Sequence, residues 1–401
     1  MASPSGTASL PLIVRIESPT MTLNPISVRL SLFYATYFAV VGIMLPYWPA
    51  WLESRGLSPV AIGAVLSVGF WVKLVAHPVL ATVADATGTL KRTTVLLALG
   101  GIAVYAAFSF AGPFWSYLVL AFLLGFTVQS IMPLGEALAL SEIKLRGLDY
   151  GPIRIWGSVS FIVAAFAVGG ATERFGDPVI LPLLLGTMVV LVASCLWLPG
   201  RGGQARKPWS WSAAARLVAN RRYLVFIAAA GCAQASHAVF YGFGTISWRS
   251  VGFGETAIGM LWSLGVVAEI VVFALAARLG RFASAPALLA MAAIGAMIRW
   301  PLTAVTHDLV AVGALQLLHG LTFGAAHLGA MRYLQDNAPE GLEATAQAFY
   351  YALVSGVVMG LAMPAAGLFY DAYGQAAYLA MGVLGVLGLG FSAILGRILK
   401  P

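Results

Sequence analysis

Twelve long apolar runs, separated by short polar stretches, account for most of the chain. They fall at roughly 29–51, 59–81, 93–111, 115–140, 151–171, 178–198, 223–246, 257–277, 285–304, 308–331, 344–366 and 375–397. A helix of about 20 apolar residues, rising ~1.5 Å per residue, crosses a ~30 Å hydrocarbon core. The pattern therefore predicts an all-α membrane protein with twelve transmembrane helices. A longer polar stretch, Pro199 to Arg222, follows the sixth run. It divides the chain into two six-helix bundles, 25–198 and 223–401, joined by a linker at 199–222. Residues 1–24 read as a disordered tail without the apolar core of a signal peptide, and Met21 is a second candidate start.

The polar positions between the runs set an orientation. If both termini lie inside, seventeen of the 23 basic residues fall in cytoplasmic segments, and only Arg55, Arg174 and Arg249 fall in external loops. Such an excess marks the cytoplasmic side, so the expected setting is the inner membrane with both termini in the cytoplasm. The net charge of +8 follows from this loop bias and needs no nucleic-acid partner. Composition agrees: 60% of residues are hydrophobic and 9% charged, against ~25% charged in a typical soluble domain. That excludes a soluble helical enzyme. Cys195 and Cys232 both sit in apolar runs, which implies neither a disulfide framework nor a metal site. No Gly-x-x-x-x-Gly-Lys-[Ser/Thr] loop for ATP occurs, and no cofactor is implied.

The remaining charges lie inside the runs. Glu269 is the only charge in Ala257–Ala277, and a carboxylate near the bilayer centre costs ~2.5 kcal/mol or more. A group at that cost belongs beside a partner or a water-filled cavity. The other buried polar groups are Lys73 and His77 in span two, Gln129 and Glu136 in span four, and Arg154 in span five. In the second half they are Gln234, His237 and Tyr241 in span seven, Arg299 in span nine, Gln316, His319 and His327 in span ten, and Gln347 in span eleven. Gln234, His237 and Tyr241 share one helical face, as do Gln129 and Glu136. Polar groups between helices also act as glue, at ~0.6 kcal/mol per hydrogen bond. His327, near the cytoplasmic end, fits that role, and the Gln residues fit it as well as any other. Full charges give poor return as glue, so Glu136, Arg154, Glu269 and Arg299 are the functional candidates.

Two kinds of motif carry a resemblance. The loop after span two reads Ala81-Thr82-Val83-Ala84-Asp85-Ala86-Thr87-Gly88-Thr89-Leu90-Lys91-Arg92. It resembles the Gly-x-x-x-Asp-x-x-Gly-x-[Lys/Arg]-[Lys/Arg] signature of the major facilitator superfamily, with Ala81 for the leading Gly and one extra residue before the basic pair. Asp85, Gly88, Lys91 and Arg92 are thereby candidates for a cytoplasmic latch between two helices. The corresponding loop after span eight retains Arg278, Gly280 and Arg281. The runs Gly151–Ser158, Leu261–Glu269 and Gln234-x-x-His237-x-x-x-Tyr241 are similar to the phenylpropionate permease family, a proton-linked branch of that superfamily, and more distantly to the lactose permease group. The resemblance implies the major facilitator fold, a substrate role for Arg154, and a coupling role for Glu269, Arg299 and His319. The sugar symporters carry a second carboxylate three residues after that His, where this chain has Thr322.

The expected activity is proton-coupled symport of a small organic solute, an aromatic or other carboxylate, by alternating access of the two halves. Glu269 would carry the proton, with His319, Arg299 and His237 tuning it. Arg154, helped by Lys73, would bind the carboxylate. Glu136, Gln129, Gln234, Tyr241, Trp156 and Phe161 complete the candidate substrate set. The expected partners are the substrate, the proton and the lipid bilayer, with the monomer as the working unit. Symport of a neutral sugar or nucleoside, or export of small molecules, is the alternative. A membrane enzyme is not favoured, because the short loops hold no reactive constellation.

Overall fold

The computed structural model describes residues 24–200, 216–279, 283–339 and 342–400, without the side chains of 85, 86, 276–279 and 344. The tail 1–23, most of the linker, the Asp85 carboxylate and the Arg278–Arg281 loop side chains therefore lie outside the described residues. Among those described, every regular element is helical. Eleven segments are long and apolar enough to cross a membrane. The last of them, Thr345–Leu399, breaks at a 3₁₀ turn, Gly374–Ala377, with Gly374 at φ +55°. It holds two spans, which makes twelve.

Local chemistry explains the helix ends. Span one (Pro25–Ser54) begins with Pro25 in the first turn and the Asn24 side chain accepting from the Ile26 amide at 2.9 Å, both ordinary start signals. Span four (Phe114–Arg146) runs six residues beyond its expected end and stops at Gly147, whose φ of +63° a residue without Cβ adopts freely. The apolar faces turn outward as well as inward: Leu96, Val119, Val163 and Leu361 are all more than half exposed. A hydrocarbon solvent places no penalty on that exposure.

Spans one to six pack mainly on one another, as do spans seven to twelve; the halves meet where span two touches span eleven and span five touches span eight (Glu255–Leu279). The meeting is asymmetric along the membrane normal. All inter-half hydrogen bonds among the described residues lie toward the side away from the termini. Thr245 Oγ1 donates to the Pro46 carbonyl at 2.6 Å, Ser67 Oγ to Gly360 at 2.6 Å and Ser263 Oγ to Ile162 at 3.1 Å. Glu173 accepts from the Thr256 amide at 2.8 Å, and Arg249 holds Asp177 at 2.6 Å. Glycines permit the close approach: a Cβ at Gly259 would lie 2.6 Å from the Ala165 carbonyl oxygen, and one at Gly63 2.6 Å from that of Met363. The core follows suit. One apolar cluster runs the length of the first half and takes in the far-side part of the second, while Tyr223, Phe226, Leu289, Tyr333 and Tyr350 form a separate cluster in the second half toward the termini. Among the described residues, hydrogen bonds join the halves on the far side and none joins them on the side of the termini.

Candidate functional site

Glu269 lies six residues past Ser263, about 9 Å further along span eight, just beyond the last seal contact on that helix. Its side chain is 23% exposed. Close packing with span ten places its neighbour: a Cβ on Gly320 would come 2.8 Å from the Ala268 carbonyl oxygen. His319, the adjacent residue, thus brings Nε2 to 3.9 Å from Glu269 Oε2. That exceeds a direct hydrogen bond and leaves the two groups within ion-pair distance.

Behind His319 the network is directional. Arg299 in span nine (Ala285–Val305) is wholly buried. Its Nη1 donates to His319 Nδ1 and to Thr322 Oγ1, both at 3.0 Å, and its Nη2 donates to Gln316 Oε1 at 2.8 Å. The guanidinium lies over the rings of Trp300 at 4.3 Å and Phe240 at 4.9 Å, a cation–π setting suited to a buried charge. A guanidinium only donates, so His319 Nδ1 accepts and, in the neutral ring, Nε2–H points at Glu269. His237 Nε2 lies 3.1 Å from Thr322 Oγ1, and its Nδ1 donates to the Ala233 carbonyl at 2.9 Å. Tyr241 stacks on the His237 ring at 5.4 Å. A cavity of about 20 Å³, lined by Gln234, His237, Thr322, His327 and Tyr350 among others, adjoins this group; it has room for about one water.

Arg154 lies in span five, on the other half. Its guanidinium lies 3.9 Å from the Phe38 ring centroid and 5.5 Å from that of Tyr34. No carboxylate among the described residues comes within 4.0 Å of it. Glu136 does not pair with it but accepts from Tyr34 at 2.8 Å and Tyr150 at 2.9 Å.

The other candidates are placed differently. Lys73 sits over Phe70 at 4.6 Å, while Gln129 packs on Gly69 at the contact between spans two and four and accepts from His77 through its carbonyl at 3.2 Å. Phe161 is buried against Gly42 of span one. Trp156, 52% exposed, shares the outward stripe of Ile155, Val159 and Val163, away from Arg154. Gly88 of the latch loop has a left-handed φ of +60°.

Comparison with known proteins now decides the family. The MFS_1 like family model matches residues 27–380. The chain belongs to that family. This MFS_1-like protein is 35% identical over 368 residues to the "Probable 3-phenylpropionic acid transporter" of Escherichia coli (strain K12), covering 90% of this chain and 94% of that one. It is 30% identical over 341 residues to the "Maltose permease" of Geobacillus stearothermophilus, covering 81% and 83%. Its fold matches the crystal structure of the nucleoside transporter NupG with a TM-score of 0.81 at 17% identity, covering 94% and 99%. The protein is thus a multi-pass membrane transporter of the major facilitator superfamily and not an enzyme.

Several residues that contact the candidate groups or join the halves were not marked by the sequence. Tyr150 and Phe38 have no signal beyond being aromatic. Thr322 stood out only as a missing carboxylate. Arg249 counted only as an external-loop cation, and Asp177 and Glu173 carried no signal, although the structure joins Arg249 to Asp177 and Glu173 to the Thr256 amide.

Proposed function

We propose that this MFS_1-like protein is a proton-coupled symporter of a small aromatic carboxylate. In this reading it lies in the inner membrane with both termini in the cytoplasm and acts as a monomer; far-side placement of the hydrogen bonds between the halves, among the described residues, supports a state open to the cytoplasm. One observation carries the substrate class. Arg154 is a cation without a carboxylate partner among the described residues, laid against aromatic rings. Such a site offers a carboxylate its countercharge and an adjoining ring its packing surface. The relative named for 3-phenylpropionic acid fits that chemistry. Glu269 is placed to exchange a proton with the open side through His319, while Arg299 is engaged by three other partners and leaves the carboxylate free to take the proton.

The test is uptake into proteoliposomes with an imposed pH gradient and 3-phenylpropionate as first substrate. Glu269→Gln retains shape but cannot release a proton. It should abolish accumulation while preserving equilibrium exchange, which needs binding and switching without net proton movement. Accumulation that survives Glu269→Gln places the proton elsewhere. A second reading, a hydroxylated solute, has one observation in its favour: Glu136 with Tyr34 and Tyr150 forms a hydroxyl-rich corner, and the maltose permease is a relative. Preference for a neutral sugar in the same assay would select it.

A further inference from the structure

Among the described residues, three spans of the second half are interrupted, spans seven, ten and eleven (the last by a π-helical segment, Tyr351–Val358), and one side-chain hydrogen bond joins the first two. Span seven is two helices, Arg221–Ala235 and Ala238–Ser250, broken at Ser236–His237 without a proline. Span ten carries a π-helical segment, Gly320–Ala325, between Leu309–Leu317 and Ala326–Asn337. Such segments accompany functional sites more often than ordinary helix does. Thr322 lies in the second interruption and His237 in the first, and their side chains meet at 3.1 Å.

The direction of that bond follows from the donors around it. Thr322 Oγ1 accepts from Arg299, so its proton is available to His237 Nε2, which is bare because Nδ1–H donates to the Ala233 carbonyl. Among the described residues, Thr322 is the one side chain bonded to both Arg299 and His237. The outer helix of span seven, which starts at Ala238, carries two contacts of the far-side seal: Thr245 to Pro46 and Arg249 to Asp177. A continuous chain of contacts thus runs from Glu269 through His319, Arg299, Thr322 and His237 to the seal.

We propose that the Thr322 hydroxyl is the positioning group that transmits the charge state of Glu269 to the break in span seven, and through it to the outer seal. The inference rests on Glu269 as the proton carrier. A charged Glu269 draws His319 and the guanidinium toward span eight; a neutral one leaves them held by Gln316 and Thr322. Thr322 relays the difference because one nitrogen, Nη1, serves both His319 and Thr322. The other titratable groups around the pair are Tyr241 on span seven, His327 on span ten, Tyr350 on span eleven and Tyr378 on span twelve.

The experiment measures distances between spin labels at Ser109→Cys and His307→Cys, exposed far-side positions in the two halves, on the full chain in lipid. The chain with only Cys195 and Cys232 supplies the labelling background. Glu269→Gln, which mimics the protonated state, should change the ratio of open to closed seal by about fivefold or more, the lower end of ordinary coupling. The change should persist with Thr322→Ser and vanish with Thr322→Val, which keeps the shape but removes the hydroxyl. An equal response in Thr322→Val overturns the link while leaving Glu269 as proton carrier intact. No response to Glu269→Gln in the native background overturns the link as well, and the accumulation assay then judges Glu269 separately. Should Thr322→Val fail to fold, His237→Phe breaks the same bond from the other side, and the same outcomes apply.

Discussion

Asp177→Asn should loosen the far-side seal without touching the cleft. Asp177 ends the first half's span five–six turn, and Arg249 of span seven reaches it with both terminal nitrogens, at 2.6 and 3.2 Å. Arg249 also binds Glu255 of its own half, so the substitution removes only the tie between halves. Both side chains are about one-fifth exposed, which places the pair between a surface ion pair and a buried one. Hydrogen bonds to charged groups are worth ~1.5–3 kcal/mol, and an exposed ion pair ~0–1 kcal/mol. A loss of about 1–2 kcal/mol is therefore expected, equivalent to about a 5- to 30-fold shift toward the state open on the far side. The four other inter-half hydrogen bonds remain, so the halves should not separate altogether. Distances between the spin labels at positions 109 and 307 report the shift directly. Glu255→Gln serves as the comparison, since it perturbs Arg249 within one half and should move the distribution less. If Asp177→Asn leaves the distribution where it was, or if Glu255→Gln moves it more, Arg249 is not a clasp between halves and the reasoning fails.

Two further outcomes follow from the same geometry. Gly320→Ala sets a methyl 2.8 Å from the Ala268 carbonyl oxygen, pushes span ten off span eight, and should cost ~1–3 kcal/mol of stability, lowering Tm and coupled uptake together. Gly313→Ala on the same span meets only ordinary contacts at 3.8 Å and beyond and should do neither. Arg154→Gln should weaken binding of an aromatic carboxylate by about 10- to 100-fold, the worth of a lost charge-assisted contact. Arg154→Lys should retain a remnant, since it keeps the charge without the planar fork. Unchanged Kd in a direct binding measurement of Arg154→Gln removes that residue from the site.

The sequence by itself determined the solvent and the number of crossings, and it marked which residues to propose for function. Length and apolarity are local properties, and a span such as Ala257–Ala277 cannot rest in water or leave its backbone unpaired in lipid. The cost of a charge in hydrocarbon singled out Glu269, Arg154 and Arg299 for the same reason. Sequence spacing also placed His237 and Tyr241 on one face, and their rings do stack. Partner choice was another matter. Glu136 and Arg154, eighteen residues apart, were both marked as substrate groups, yet Glu136 takes two tyrosine hydroxyls and Arg154 two aromatic faces. Which groups meet depends on how the helices are rotated and how closely they approach, and glycines such as Gly320 and Gly259 set that through contacts with residues distant in the chain. The break in span seven carries no proline, and its polar partners arrive from span ten. Only the tertiary structure could decide it, because an interrupted helix in hydrocarbon persists where neighbouring helices satisfy what it exposes. The seal is likewise a property of two halves brought together: Asp177 and Arg249 are loop charges until span seven lies beside the turn that ends span five.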